Sequence, residues 1–117
     1  MPESLARMIS LSDREKAAVQ EVQAALQALY GKRLRSVVLY GSKARGDASE
    51  ESDIDLLAVI EGMGSRFLER RRIHVLTVPI DLKYGVLVSV LPVEAEFYES
   101  VKIHPFYRNV RAEGVAL

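Results

Sequence analysis

The sequence predicts an α+β (α/β) domain in which a small sheet of about three strands carries helices packed against it. Three observations lead there. An amphipathic helical pattern runs from about 13 to 30, three short hydrophobic runs rich in β-branched residues follow it, and further helical segments lie between and after those runs. The resulting order is α, β, loop, β, α, β, α, with no internal repeat and no low-complexity segment. At 117 residues this is a single domain, 1–117, large enough to bury roughly two thirds of its unfolded surface. A hydrophobic fraction of 49% beside 27% charged residues is that of an ordinary globular protein.

Residues 1–11 carry no periodicity, and Met1, Pro2, Glu3 and Ser4 read as a loose start. From Ser12 the pattern sharpens. Ser12 and Glu15 form an S-x-x-E capping box, Val19, Val22, Leu26 and Leu29 recur at helical spacing, and Gly31 stands where a C-terminal cap belongs. The run at 36–40, "SVVLY", predicts a buried strand ending at Gly41, and 53–60, "DIDLLAVI", predicts a second. The segment between them is long for a compact domain, and such loops are usually functional or disordered.

Gly62 and Gly64 close the second strand, and 65–84 reads as a helix offering Phe67, Leu68, Val75, Leu76, Ile80 and Tyr84 to the core. Pro79 inside it is expected to kink or divide the helix near Val78. The third strand is expected at 86–91, stopped by Pro92. Two short helices at 94–101 and 104–113 complete the chain, the second with Pro105 in its first turn and Gly114 as its cap.

Sixteen basic and sixteen acidic residues cancel, so no global field draws this chain to nucleic acid or an anionic membrane. Any anion must be held by a local site. Zero cysteines exclude disulfides, thiol chemistry and cysteine-based zinc sites. Without a signal peptide or an apolar run of about 18 residues, the expected location is cytoplasmic, with no membrane span. The sequence leaves the oligomeric state open.

The chemistry concentrates in "LYGSKARGDASEESDIDLLAVI", residues 39–60. On a strand, Asp53 and Asp55 share a face while Ile54 and Leu56 turn to the other. Two carboxylates approaching to about 5 Å at an effective dielectric near 20 repel by about 3 kcal/mol, and a cation relieves this. Mg²⁺ suits such a pair, since it is commonly held by one or two carboxylates together with substrate phosphates. Gly41 permits close backbone approach to a ligand, Ser42 offers a hydroxyl and an amide, and a short helix from Ser42 would point free amides at an anion.

Two familiar phosphate loops do not fit. Gly41 and Gly46 satisfy G-x-x-x-x-G, but Asp47 and Ala48 replace the Lys-Ser/Thr of a Walker loop, and Lys43 interrupts the dinucleotide fingerprint. A plainer alternative stands beside the functional one: an acidic loop leading into a strand, with Ser52 or Asp53 bonding its own backbone.

Gly41, Ser42, Ala44, Arg45 and Gly46, followed by Ser52, Asp53, Ile54 and Asp55, closely resemble the G-S-x-A-R-G … S-D-I-D-L signature of minimal nucleotidyltransferases, in the DNA polymerase β-like nucleotidyltransferase superfamily. The motif covers 36–60, and the order of elements extends the likeness to about residue 91. The resemblance implies the nucleotidyltransferase fold, with a mixed sheet, a nucleoside triphosphate as substrate (ATP) and Mg²⁺ as cofactor. Gly41 and Ser42 would hold the triphosphate, with Lys43, Arg45 and Ser52 beside them as nucleotide-contact candidates. Arg45 would assist at phosphate or acceptor, and Asp53 and Asp55 would carry the metal. The family transfers a nucleoside monophosphate to a hydroxyl. Minimal members resemble antitoxins encoded beside a helical HEPN-type toxin, some of which they modify with AMP. The acceptor would then be a separate protein.

One departure bears on activity. The family pattern carries a third carboxylate on the next strand, and 86–91 contains none; Asp81 precedes it, and Glu94 and Glu96 follow. Loss of such a ligand cuts phosphoryl transfer severely while leaving metal and nucleotide binding partly intact. The alternative is therefore a catalytically weakened, nucleotide-binding antitoxin that acts by direct contact. His74 and His104 are isolated and read as structural, Arg70, Arg71 and Arg72 as a solvated helix face, and Phe97, Tyr98, Phe106 and Tyr107 as packing for the C-terminal helices.

Overall fold

The structure, a computed structural model, describes residues 11–49 and 52–117. The loose start read at residues 1–10, and Glu50 and Glu51 of the long loop, lie outside them.

Helix α1 spans Asp13–Tyr30. Its capping box is complete: the Glu15 amide donates to Ser12 Oγ at 3.1 Å, and the Ser12 amide donates to Glu15 Oε1 at 2.9 Å. Ala18, Val19, Val22, Leu26 and Tyr30 form its buried face. A 3₁₀ turn, Gly31–Arg33, leads into β1, Leu34–Tyr40. The four-residue helix α2, Ser42–Arg45, follows, then β2, Ile54–Ile60, and α3, Arg66–Tyr84. Strand β3, Val88–Glu94, runs directly into α4, Ala95–Ser100; α5, Pro105–Glu113, and β4, Val115–Ala116, end the chain.

The sheet order is β3-β2-β1-β4. Strand β1 is antiparallel to β2 and β4, whereas β2 and β3 are parallel and α3 makes the crossover that parallel neighbours require. The sheet is therefore mixed. Its two faces build two cores. Val37, Leu39, Ile54, Leu56, Ala58 and Ile60 pack with α1 and α3, while Val38, Leu57 and Val59 pack with Tyr107 and Val110 of α5 and Ala95 of α4. Every residue of β2 except Asp55 is buried, which explains why that strand reads as one hydrophobic run.

Three expectations about the elements are revised. The sheet has four strands, because two residues after Gly114 pair with Val38 and Leu39; too short for periodicity, they left no pattern in the sequence. Gly114 is needed there for space, since a Cβ would lie 2.3 Å from the Val110 carbonyl oxygen and 2.6 Å from Val38 Cγ1. Strand β3 continues through Pro92, which stands opposite Ala58; on an edge strand a missing N–H costs no ladder bond if it faces outward. Helix α3 is not divided at Pro79, whose exposed position leaves the freed Val75 carbonyl to water.

The buried face of α3 also differs. Phe67 (67% exposed), Leu68 (56%) and Val75 (72%) face outward, while Ile73, Ile80, Thr77 and Glu69 are buried. Two polar residues hide that stripe from a hydrophobic count. Glu69 accepts from the Tyr30 hydroxyl and pairs with Arg72 at 3.4 Å, and burial together with this carboxylate raises the Tyr30 phenol well above its ordinary value.

Candidate active site

Strand β1 delivers the chain to Gly41, the residue before α2, at φ +76°. A side chain there would be strained by the backbone alone. It would also collide: an ideal Cβ on Gly41 would lie 2.6 Å from Asp55 Oδ2 and 3.4 Å from Asp55 Cγ. The glycine turn and the carboxylate of the neighbouring strand thus touch, and they do so because residue 41 lacks a side chain.

The register explains the contact. Asp55 pairs with Tyr40 on β1 and with Ser89 on β3, at the end of β2 where the Gly41 turn begins. Its neighbours Ile54 and Leu56 are buried toward α1 and α3, so Asp55 faces the side carrying Leu57, Val59 and α5. Asp55 is half-buried and Asp53 exposed. Burial first, and then the negative charge of Asp53, push the Asp55 carboxyl above its ordinary value, while Arg45 opposes them. Burial and the Asp55 charge likewise raise the Tyr40 phenol.

This is the electrostatic condition of a cation site. The Asp53 charge raises the cost of ionising Asp55, and no basic side chain among the described residues closes an ion pair with either acid. No group of three His, Cys, Asp or Glu able to hold a metal occurs among the described residues. Two acids beside a glycine turn fit Mg²⁺, which retains waters and commonly takes further ligands from substrate phosphates.

The other predicted residues divide. Ser42 opens α2 directly after Gly41. Arg45, 43% exposed at its side chain, bonds Asp47 at 3.2 Å and Glu113 of α5 at 3.3 Å, and its charge reaches Asp55. Lys43 is turned into the protein instead: 4% exposed, its Nζ lies 2.6 Å from Glu15 Oε2 and donates to the Ser49 carbonyl at 2.9 Å. Ser52 Oγ accepts from the Ser49 amide at 3.1 Å and lines a separate cavity of about 560 Å³ with Glu15, Asp81 and Leu87. The structure brings Gly41, Arg45, Asp53 and Asp55 together with Ser42 adjoining; it gives Lys43 and Ser52 bonds within the loop and to α1.

Two cavities flank the carboxylates. One, of about 250 Å³, is lined by Asp53, Arg70, His74, Asp81 and Ser89. The other, of about 270 Å³, is lined by Tyr40, Gly41, Arg45, Phe106, Asn109 and Glu113. Arg70 and His74 were hidden in a polar helix face, and Asn109 by distance along the chain. His104 caps α5, its Nδ1 accepting from the Phe106 amide at 3.2 Å.

No acid on β3 stands beside Asp55. Its register partner is Ser89; Glu94, at the far end opposite Ile60, accepts from the amides of Gly62 (3.2 Å) and Met63 (2.6 Å). Asp81 shares the smaller cavity but accepts from the Val88 amide at 3.0 Å.

The profile of the nucleotidyltransferase domain family matches residues 19–115. A protein of Methanocaldococcus jannaschii, named as a protein adenylyltransferase, is 38% identical over 104 residues, covering 88% of this chain and 97% of its own length. A second protein of that organism with the same kind of name is 34% identical over 71 residues, 61% of this chain and 71% of its own. Among solved structures, a nucleotidyltransferase from Sulfolobus solfataricus superposes with a TM-score of 0.55 at 22% identity, covering 99% of this chain and 86% of that one. That likeness concerns the fold.

Proposed function

The chain belongs to the nucleotidyltransferase domain family, and from that premise we propose that it transfers AMP from ATP to a hydroxyl of a separate protein. The observation that carries this reading is the contact between the Gly41 turn and Asp55, whose carboxyl also feels the charge of Asp53. The likeness to proteins named as protein adenylyltransferases supports a protein acceptor. The signature's resemblance to antitoxins favours a helical HEPN-type partner.

In this reading Gly41 and Ser42 grip the phosphate oxygens, and Arg45 neutralises charge beside them. Asp53 and Asp55 hold the divalent cation, Mg²⁺. Bound there, the metal supplies neutralisation of the charge that spreads over the phosphoryl oxygens. The acceptor oxygen bonds to the α-phosphorus, the bond to pyrophosphate breaks, and the hydroxyl proton passes to solvent.

Transfer of label from [α-³²P]ATP to a HEPN-type partner tests the reading. Wild type should label the partner in the presence of Mg²⁺, and Asp53→Ala/Asp55→Ala should not.

A second reading has its own observation. With Ser89 as the register partner of Asp55 and no acid beside it on β3, the chain is a nucleotide-binding antitoxin that neutralises its partner by contact. Complex formation unaffected by the double substitution, with no labelling by wild type, selects this second reading.

A further inference from the structure

We infer that the cavity between the Gly41 turn and α5 is a subsite for the nucleobase of the triphosphate, and that Asn109 biases it toward adenine; this rests on the nucleotide reading above. Of the two cavities beside the carboxylates, this one includes Gly41 and Arg45, so a molecule whose phosphates lie at the Gly41–Ser42 turn extends into it. The other, lined by Asp53, Arg70, His74 and Ser89, includes no residue of the turn and is left for the acceptor.

Size and lining agree. At about 270 Å³ the cavity falls just below the roughly 300–1,000 Å³ of sites that enclose a whole drug-sized ligand, so it takes one part of a molecule, such as a flat ring system. Tyr40 and Phe106 contribute aromatic rings, held edge to face at 5.6 Å, and Phe106 is only half-buried, which leaves ring surface for a base. Base–aromatic contact tolerates any base, since each has a π-face. Discrimination needs a polar group at the rim. The Asn109 side-chain amide, a donor and an acceptor together, matches the adjoining donor and acceptor on adenine. Glu113, bonded to Arg45 at 3.3 Å, ties the α5 wall of the cavity to the phosphate end.

Calorimetry with Mg·ATP, Mg·UTP and Mg·tripolyphosphate tests this on wild type, Phe106→Leu and Asn109→Ala. Phe106→Leu keeps apolar bulk in the core and removes the ring, and Asn109 is exposed, so both variants should fold. Wild type should bind ATP about tenfold or more tightly than tripolyphosphate. Phe106→Leu should lose most of that difference with tripolyphosphate affinity unchanged, and Asn109→Ala should lower the ATP-to-UTP preference several-fold. Unchanged ATP affinity and preference in both variants would overturn the subsite while leaving the nucleotide reading intact. An effect of Phe106→Leu on acceptor labelling alone would overturn it too, giving the cavity to the acceptor. If wild type binds none of the three ligands, the nucleotide reading and the subsite fall together.

Discussion

The helix α2 meets carboxylates on two sides, and the two meetings differ. On the α1 side, Lys43 and Glu15 form an ion pair at 2.6 Å, with side chains 4% and 8% exposed and further bonds from Ser12 and to Ser49. On the other side, Asp55 presses against Gly41 with another acid, Asp53, as its charged neighbour. The first carboxylate has every need met inside the protein. The second has only the more distant charge of Arg45 to set against its burial and the Asp53 charge. Burial alone therefore does not distinguish the two carboxylates; their charge partners do.

The comparison breaks most visibly if the uncompensated pair is neutralised. Asp53→Asn/Asp55→Asn should cut AMP transfer by about 10³-fold or more, since metal neutralisation is worth several kcal/mol. Thermal melting in metal-free buffer should be unchanged or raised, because a repulsion has been removed. A large fall in melting temperature would make the pair structural.

The compensated pair should respond in the opposite way. Lys43→Met strands a buried carboxylate and should cost about 3–5 kcal/mol by urea unfolding, with Lys43→Met/Glu15→Leu recovering much of the loss. Acidity probes the same pair. Burial alone would raise the Glu15 carboxyl, but bonds from Lys43 and Ser12 hold it below its ordinary 4.5. A depressed folded value means stability that is present above about pH 4.5 and lost as pH falls through the folded value. Glu15→Gln should flatten that acid limb of the stability profile.

Smaller effects sharpen the contrast. Gly41→Ala adds positive-φ strain of about 1–3 kcal/mol and a Cβ at 2.6 Å from Asp55 Oδ2, so it should lower both stability and nucleotide affinity. Tyr30→Phe takes one donor from the buried Glu69 and should cost about 1–3 kcal/mol by urea unfolding, with transfer unchanged.

How much of this was legible follows from the same physics. Strand β2 and α1 were readable because hydrophobic periodicity and a capping box are local signals, and Asp53 and Asp55 because acids opening an apolar run break a pattern. The Lys43–Glu15 pair joins residues 28 apart in sequence and resembles two ordinary surface charges until the fold closes around it. Local spacing misses the α3 stripe because two of its buried members are polar: Glu69 is bonded by Tyr30 of α1, and Thr77 bonds the His74 carbonyl one turn back on its own helix. Strand β4 exists only because β1 offers it an edge. Tertiary pairing supplied what local spacing lacked.

The most direct test of the account is a calorimetric titration of ATP into wild type and Asp53→Asn/Asp55→Asn, with and without Mg²⁺. Binding by wild type that depends on Mg²⁺ and disappears in the double variant is the predicted result. Equal affinity in the two proteins, or affinity indifferent to the metal, would contradict it.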